Sequence, residues 1–182
     1  MSPTPPILPS VGRHSAATTA SGGRGQTGAM GTTEDRLDSL GLTLPTASTP
    51  QGNYVQAKRV GDLLEVGGHG PISGDEIVIG KVGVDVTLEE ARRAARLTGL
   101  QMLATVQAEL GSLDRVAQVV KVFGMVNVGD GFDRMPAVID GCSDLLVEVL
   151  EERGRHTRSA VGMASLPFGI AVEIEMRLEV RD

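Results

Sequence analysis

Arg158 and Glu173 are the two side chains of this sequence whose types and spacing suggest chemistry. They stand fifteen residues apart, in Gly154-Arg155-His156-Thr157-Arg158-Ser159-Ala160-Val161 and Val172-Glu173-Ile174-Glu175-Met176, with Leu166-Pro167-Phe168-Gly169 between. The pattern predicts two strands paired across that turn, so that guanidinium and carboxylate meet at the mouth of one pocket. A guanidinium clamps a carboxylate through two parallel hydrogen bonds, and a neighbouring Glu can hold a water. Together they would suit hydrolysis of a small 2-oxo-acid-like molecule without a metal or a covalent nucleophile. The same spacing also suits an ordinary hairpin with a surface Arg and an outward Glu, because most strand charges face water.

The composition narrows the alternatives. A chain of 182 residues with 41% hydrophobic and 22% charged residues is long enough for a real core and ordinary for a globular protein. Aromatics make up only 2%, so the core must be aliphatic, and stacking platforms for single-stranded nucleic acid are lacking. A net charge of −6 argues against a phosphate-tracking surface, so no nucleic-acid partner is expected. The dense basic group Arg92, Arg93 and Arg96 reads as a solvated helix face. The single cysteine, Cys142, excludes an intramolecular disulfide and a cysteine-based zinc cluster. It falls in the apolar stripe Val138, Ile139, Cys142, Leu145, Leu146 and Val149, which predicts a buried structural thiol. His14, His69 and His156 are too dispersed to suggest a metal site, and no cofactor is expected. No apolar run approaches about 18 residues, so no membrane partner is expected. The start lacks the charged and apolar regions of a secretory signal, and a cytoplasmic location is the default.

The elements that must position the pair follow from periodicity and punctuation. Residues 1–33 are rich in Pro, Ser, Thr, Ala and Gly without apolar periodicity and read as a disordered extension, with Met30 a plausible natural start. Residues 34–182 read as one α+β domain. A short helix over Arg36–Leu40 ends at Gly41, and strands are expected over Tyr54–Arg59 and Leu63–Gly67. Gly67-Gly68-His69-Gly70 then permits close approach of a ligand to the backbone, or simply a bulged strand end. Thr87 and Glu90 form a capping box for a helix running to Leu110, with Ala91, Ala94, Ala95, Thr98, Met102, Ala104 and Val106 on a small-residue face. Val116–Val128 reads as a central strand and Pro136–Glu152 as a second helix. The strands Ser159–Met163 and Ile170–Val180 complete the chain. The order predicts a mixed sheet with two helices packed on one face, the other face being left with polar and small residues. An uncovered sheet face predicts oligomerisation.

This order and the residues at its joints resemble the RidA/YjgF family of imine and enamine deaminases, over about Gly52 to Val180. Gly52-Asn53-Tyr54-Val55-Gln56 is similar to the family's Gly-Pro-Tyr-Val/Ser-Gln entry. Val66-Gly67-Gly68-His69-Gly70-Pro71 is similar to its Ser-Gly-Gln-Ile-Pro turn, and Gly111-Ser112-Leu113-Asp114-Arg115-Val116 also fits. Thr157-Arg158-Ser159, Leu166-Pro167 and Val172-Glu173-Ile174-Glu175 resemble its Ala-Arg-Ser, Leu-Pro and Ile-Glu-Ile-Glu signature at the usual spacing. The resemblance implies a chorismate-mutase-like fold and a homotrimer with clefts between subunits. It also implies water addition to 2-imino or enamine acids, releasing ammonia and a 2-oxo acid, or carboxylate binding without catalysis in the same cleft. Arg158 would then hold the substrate carboxylate and Glu173 would position or activate the water. Tyr54 would line the pocket, and the Gly67-Gly68 backbone would contact substrate or water. The sequence departs from the pattern at Gly67-Gly68 for Ser-Gly, and at His69 for Gln, where His69 is a candidate proton donor. It departs again at Met135-Pro136, where an Asn is usual, and at Ala160, where a Cys is common. Ribonuclease activity, also attributed to the family, is disfavoured by the acidic charge and scarce aromatics.

Overall fold

A computed structural model describes residues 32–74 and 76–182, so the extension expected over residues 1–33 lies outside the described residues except for its last two. Those two begin helix α1 (Thr33–Ser39): Thr32 caps it through a reciprocal box with Asp35, so the helix starts three residues before the expected Arg36. Thr33 also bonds Asp114 and Arg153, which ties the helix to the body of the domain.

Strands β1 (Ala57–Val60) and β2 (Leu63–His69) form a hairpin, followed by a two-residue hairpin, β3 (Ile72–Ser73) and β4 (Glu76–Ile77). Helix α2 (Leu88–Leu110) is capped by the Thr87–Glu90 box and closed by Gly111 in the left-handed conformation, as its sequence predicts. Strand β5 (Val116–Asn127), helix α3 (Met135–Leu150), strand β6 (Thr157–Met163) and strand β7 (Val172–Val180) complete the order. The main sheet runs β1-β2-β7-β5-β6, antiparallel throughout except for the parallel β5–β6 pair.

Both long helices cover one face. All the predicted small residues of α2 and the whole α3 stripe are buried there, together with Val122, Val126, Ile174, Met176 and Leu178. The helices approach closely because Gly141 of α3 meets the Arg92 carbonyl, where an added Cβ would lie 2.0 Å from the oxygen.

Two expectations need correction. β6 and β7 do not form a hairpin, since β5 lies between them and pairs with both. The Leu166–Gly169 turn therefore belongs to a crossing connection over the end of β5. The open sheet face is also not uniformly polar. Lys121, Ser159, Glu65 and Arg177 pair across one part of it, but Met125, Leu166 and Ile170 form a second apolar cluster with Phe123, Val161 and Met163. Among the described residues no helix is long and apolar enough to cross a membrane.

Candidate active site

Glu173 is the second residue of β7, opposite Met125, on the open face. β2 beside it carries a bulge: Val66 pairs with Met176 but His69 pairs with Ile174, so β2 spends one more residue than β7 over this stretch. Such a bulge re-aims backbone and side chains. Here it lays Gly68 against the Glu173 carboxylate, where any Cβ would fall 2.0 Å from Oε1. That contact gives the glycine run its physical reason. The carboxylate is half-buried, and desolvation, seconded by the neighbouring charge of Glu175, raises its pKa above the ordinary Glu value.

Tyr54, Gly68, His69 and Glu173, all named from the sequence, line one cavity of ≈ 390 Å³. Gly67 lies instead beside a shallower depression with Glu175 and Lys121. Gln51, Gln56, Gln101 and Phe168, with the hydroxyls of Ser48 and Thr49, also line the Glu173 cavity, and none of them is predicted from the sequence as a site residue. Phe168 lies in the connection between β6 and β7, where turn chemistry alone marks no site residue.

His69 is spoken for on both nitrogens. Nδ1 donates to the Gly67 carbonyl at 2.7 Å, because a carbonyl only accepts, and Nε2 accepts from the Thr105 hydroxyl at 2.8 Å. Burial lowers its pKa, opposed in part by the Gly67 bond. The ring is thus a neutral clasp between the bulge and α2.

Arg158 stands on the other face. It pairs with Val122 of β5, three residues before the partner of Glu173, and an odd offset along a strand reverses the face. Its Nη1 donates to Asp140 Oδ1 at 2.8 Å and to Ser143 Oγ at 3.0 Å, both on α3. Ser143 meets His156 Nε2 at 3.0 Å, and His156 Nδ1 donates to the Gly154 carbonyl at 2.6 Å. Burial lowers the His156 pKa; the Gly154 bond opposes this, and the Arg158 charge adds to it. A neutral imidazole accepting from Ser143 leaves the serine oxygen free to accept from Arg158, so the relay holds the guanidinium by one corner. Nε and Nη2 of Arg158 have no acceptor among the described residues, and Arg158 lines a small cavity of ≈ 250 Å³ with Arg155 and His156. The sequence carried signals for this support: Asp140 and Ser143 share a helix face at i, i+3, and His156, just before β6, stands two residues from Arg158, on the same side of an extended segment.

Within one chain, then, the two leading residues occupy separate cavities on opposite faces of the sheet. Cys142 is fully buried, and burial pushes its thiol up to about 12, which leaves it inert as a nucleophile.

A family model described as "YjgF/chorismate_mutase-like, putative endoribonuclease" matches residues 34–174. The chain belongs to the RidA/YjgF family. Among relatives, Protein TCP17 of Trypanosoma cruzi is 41% identical over 158 residues, spanning 85% of this chain and 98% of that protein. The crystal structure of Atu1372 from Agrobacterium tumefaciens, of unknown function, is 44% identical with a TM-score of 0.76, covering 82% of this chain and 92% of that one. A Shewanella oneidensis structure described as a "putative endoribonuclease" is 32% identical with a TM-score of 0.80, covering 82% of this chain and 100% of that one. The mixed sheet with its helices is the chorismate-mutase-like fold of the RidA/YjgF family. At its departures from the family pattern, His69 is the clasp described above, and Pro136 fits the first turn of α3.

Proposed function

We propose that the protein hydrolyses 2-imino or enamine acids to 2-oxo acids and ammonia, in sites shared between neighbouring copies of a homotrimer. The observation that carries the reading is the free Nε–Nη2 edge of Arg158, a fork held ready for a planar carboxylate by Asp140 and Ser143. Glu173 supplies the other half from an adjacent copy, because the two residues occupy opposite faces of one sheet.

With the substrate carboxylate on Arg158, the Glu173 carboxylate accepts a proton from water as the water oxygen bonds to C2 and the C=N bond becomes C–N. That proton then goes to nitrogen, giving a carbinolamine; Glu173 next takes the carbinolamine hydroxyl proton and passes it to the same nitrogen as C=O forms, the C–N bond breaks and ammonia leaves. Glu173 suits this task because its raised pKa lies nearer neutrality than that of an ordinary Glu. The reaction needs positioning and one proton relay, and no covalent intermediate. Neither Lys nor Arg is among the described residues lining the Glu173 cavity, which disfavours a phosphodiester there.

The test is hydrolysis of 2-iminobutanoate generated in situ, with wild type beside Arg158→Ala, Glu173→Gln and a refolded equimolar mixture of the two variants. Each variant alone should lose about 10²-fold or more in kcat/KM. Random assortment in the mixture should restore about a quarter of the wild-type sites, since each site takes one residue from each of two copies. Wild type without acceleration would overturn the deaminase reading in favour of carboxylate binding alone. Variants that do not complement would overturn the shared site.

A further inference from the structure

Phe168 is held in a conformation that its residue type disfavours. Its φ is 57° and its ψ 11°, and Gly169 follows at φ 71°. Ile170 N–H donates to the Pro167 carbonyl at 3.2 Å, which closes a turn whose two central residues both have positive φ. Asn-Gly is the pair that such a turn favours, and a bulky aromatic at its first central position is sterically opposed. The backbone is nevertheless fixed. Gly80 N–H donates to the Gly169 carbonyl at 2.9 Å, and the Asn127 amide donates to the Ile170 carbonyl at 3.2 Å.

The ring gains nothing from the core in exchange, since Phe168 is 75% exposed. Strain held in place by its surroundings, with no packing to account for it, points to a function. The chain has one Tyr, three Phe and no Trp, so each aromatic side chain counts. Phe123 and Phe132 are partly buried and packed. Tyr54, 56% exposed, and Phe168 both stand at the Glu173 cavity, whose remaining wall includes Ile72, Ile77 and Ile170. At ≈ 390 Å³ the cavity exceeds what a three-carbon acid fills. Beside the polar side chains of the lining, the patch of Ile72, Ile77 and Ile170 with the two rings favours a substrate with an apolar side chain.

We infer that Phe168, with Tyr54, forms a specificity subsite for 2-imino acids carrying a branched aliphatic or aromatic side chain. The inference rests on the deaminase reading for its reaction, but the subsite can be measured apart from it. The substrate side chain lies against the two rings while C2 faces Glu173. The strained turn keeps Phe168 at the cavity mouth.

The experiment compares imines generated by D-amino-acid oxidase from D-leucine and D-alanine, on wild type, Phe168→Asn and Phe168→Tyr. Calorimetric binding of 4-methyl-2-oxopentanoate and pyruvate runs in parallel. Wild type should prefer the leucine-derived imine. Phe168→Asn should reduce that preference about tenfold, and Phe168→Tyr should retain it. The Asn variant should keep its oligomeric size and melt no lower than wild type, because Asn tolerates positive φ and the ring is not packed. If wild type hydrolyses neither imine but Phe168→Asn abolishes a preference for 4-methyl-2-oxopentanoate, the subsite stands and the deaminase reading falls. If side-chain size affects neither hydrolysis nor binding, or Phe168→Asn keeps the preference, the subsite is overturned while hydrolysis stands. A Phe168→Asn protein that melts early or changes size would make Phe168 a packing residue and overturn the inference.

Discussion

Gly68→Ala should disable the protein without unfolding it. The new Cβ would lie 2.0 Å from Glu173 Oε1, 3.0 Å from Cδ and 3.3 Å from Cγ. Restoring an ordinary carbon–oxygen contact of about 3.3 Å moves the carboxylate oxygen by about 1.3 Å. A reacting group displaced by about 1 Å loses about 10²-fold in rate, equivalent to about 2.7 kcal/mol of transition-state stabilisation. Stability should change by less than about 0.5 kcal/mol, because the atom that must move is the end of a half-exposed side chain. Gly67→Ala is the matched control: its nearest neighbour is the Gln56 carbonyl at 3.6 Å, an ordinary contact, so activity should be nearly that of wild type. The assay is semicarbazide competition for 2-iminobutanoate formed by a dehydratase, with a thermal melt of each variant. A Gly68→Ala protein that melts normally and keeps kcat/KM within about threefold of wild type would refute the role given to the Glu173 position.

Three further outcomes follow from the structure. In the wild type, kcat/KM should rise with pH along a limb lying above the ordinary Glu pKa of about 4.3, because burial and Glu175 raise the pKa of Glu173 and the base must be ionised; Glu173→Gln should lack that limb. Between the ordinary and the raised pKa the native state binds the Glu173 proton more tightly than the unfolded chain does. Wild-type stability is therefore lost as pH rises through that window, and Glu173→Gln, measured by denaturant melts across the range, should gain on wild type there. Gly141→Ala should destabilise the fold by about 1–3 kcal/mol, since its Cβ would meet the Arg92 carbonyl of α2 and backbone cannot step aside cheaply; a denaturant midpoint unchanged from wild type would contradict this.

Much of the architecture was legible in the chain because it is set by short-range physics. The Thr87–Glu90 box and Gly111 bound α2, and the 138-142-145-149 stripe fixes the buried face of α3. The alternation from Val172 to Val180 fixes which β7 side chains enter the core, and therefore that Glu173 points away from it. Type and spacing singled out Arg158 and Glu173, the family likeness added Tyr54 and the role of each, and three of the four residues named around the pocket line the Glu173 cavity.

What the sequence could not decide was pairing. Two strands joined by a tight Pro-Gly turn read as a hairpin, yet β5, distant in sequence, lies between them because its β-branched run is apolar enough to occupy the centre of the sheet. That insertion joins Arg158 to Val122 and Glu173 to Met125, and the odd offset sends the two side chains to opposite faces. The relay through Ser143 and His156, the bulge at Gly68 and the strained turn at Phe168 likewise exist only once distant elements meet. Local preference chose the strands and helices. Long-range hydrogen bonding chose their neighbours, and through that choice it determined that neither cavity of a single chain holds both Arg158 and Glu173.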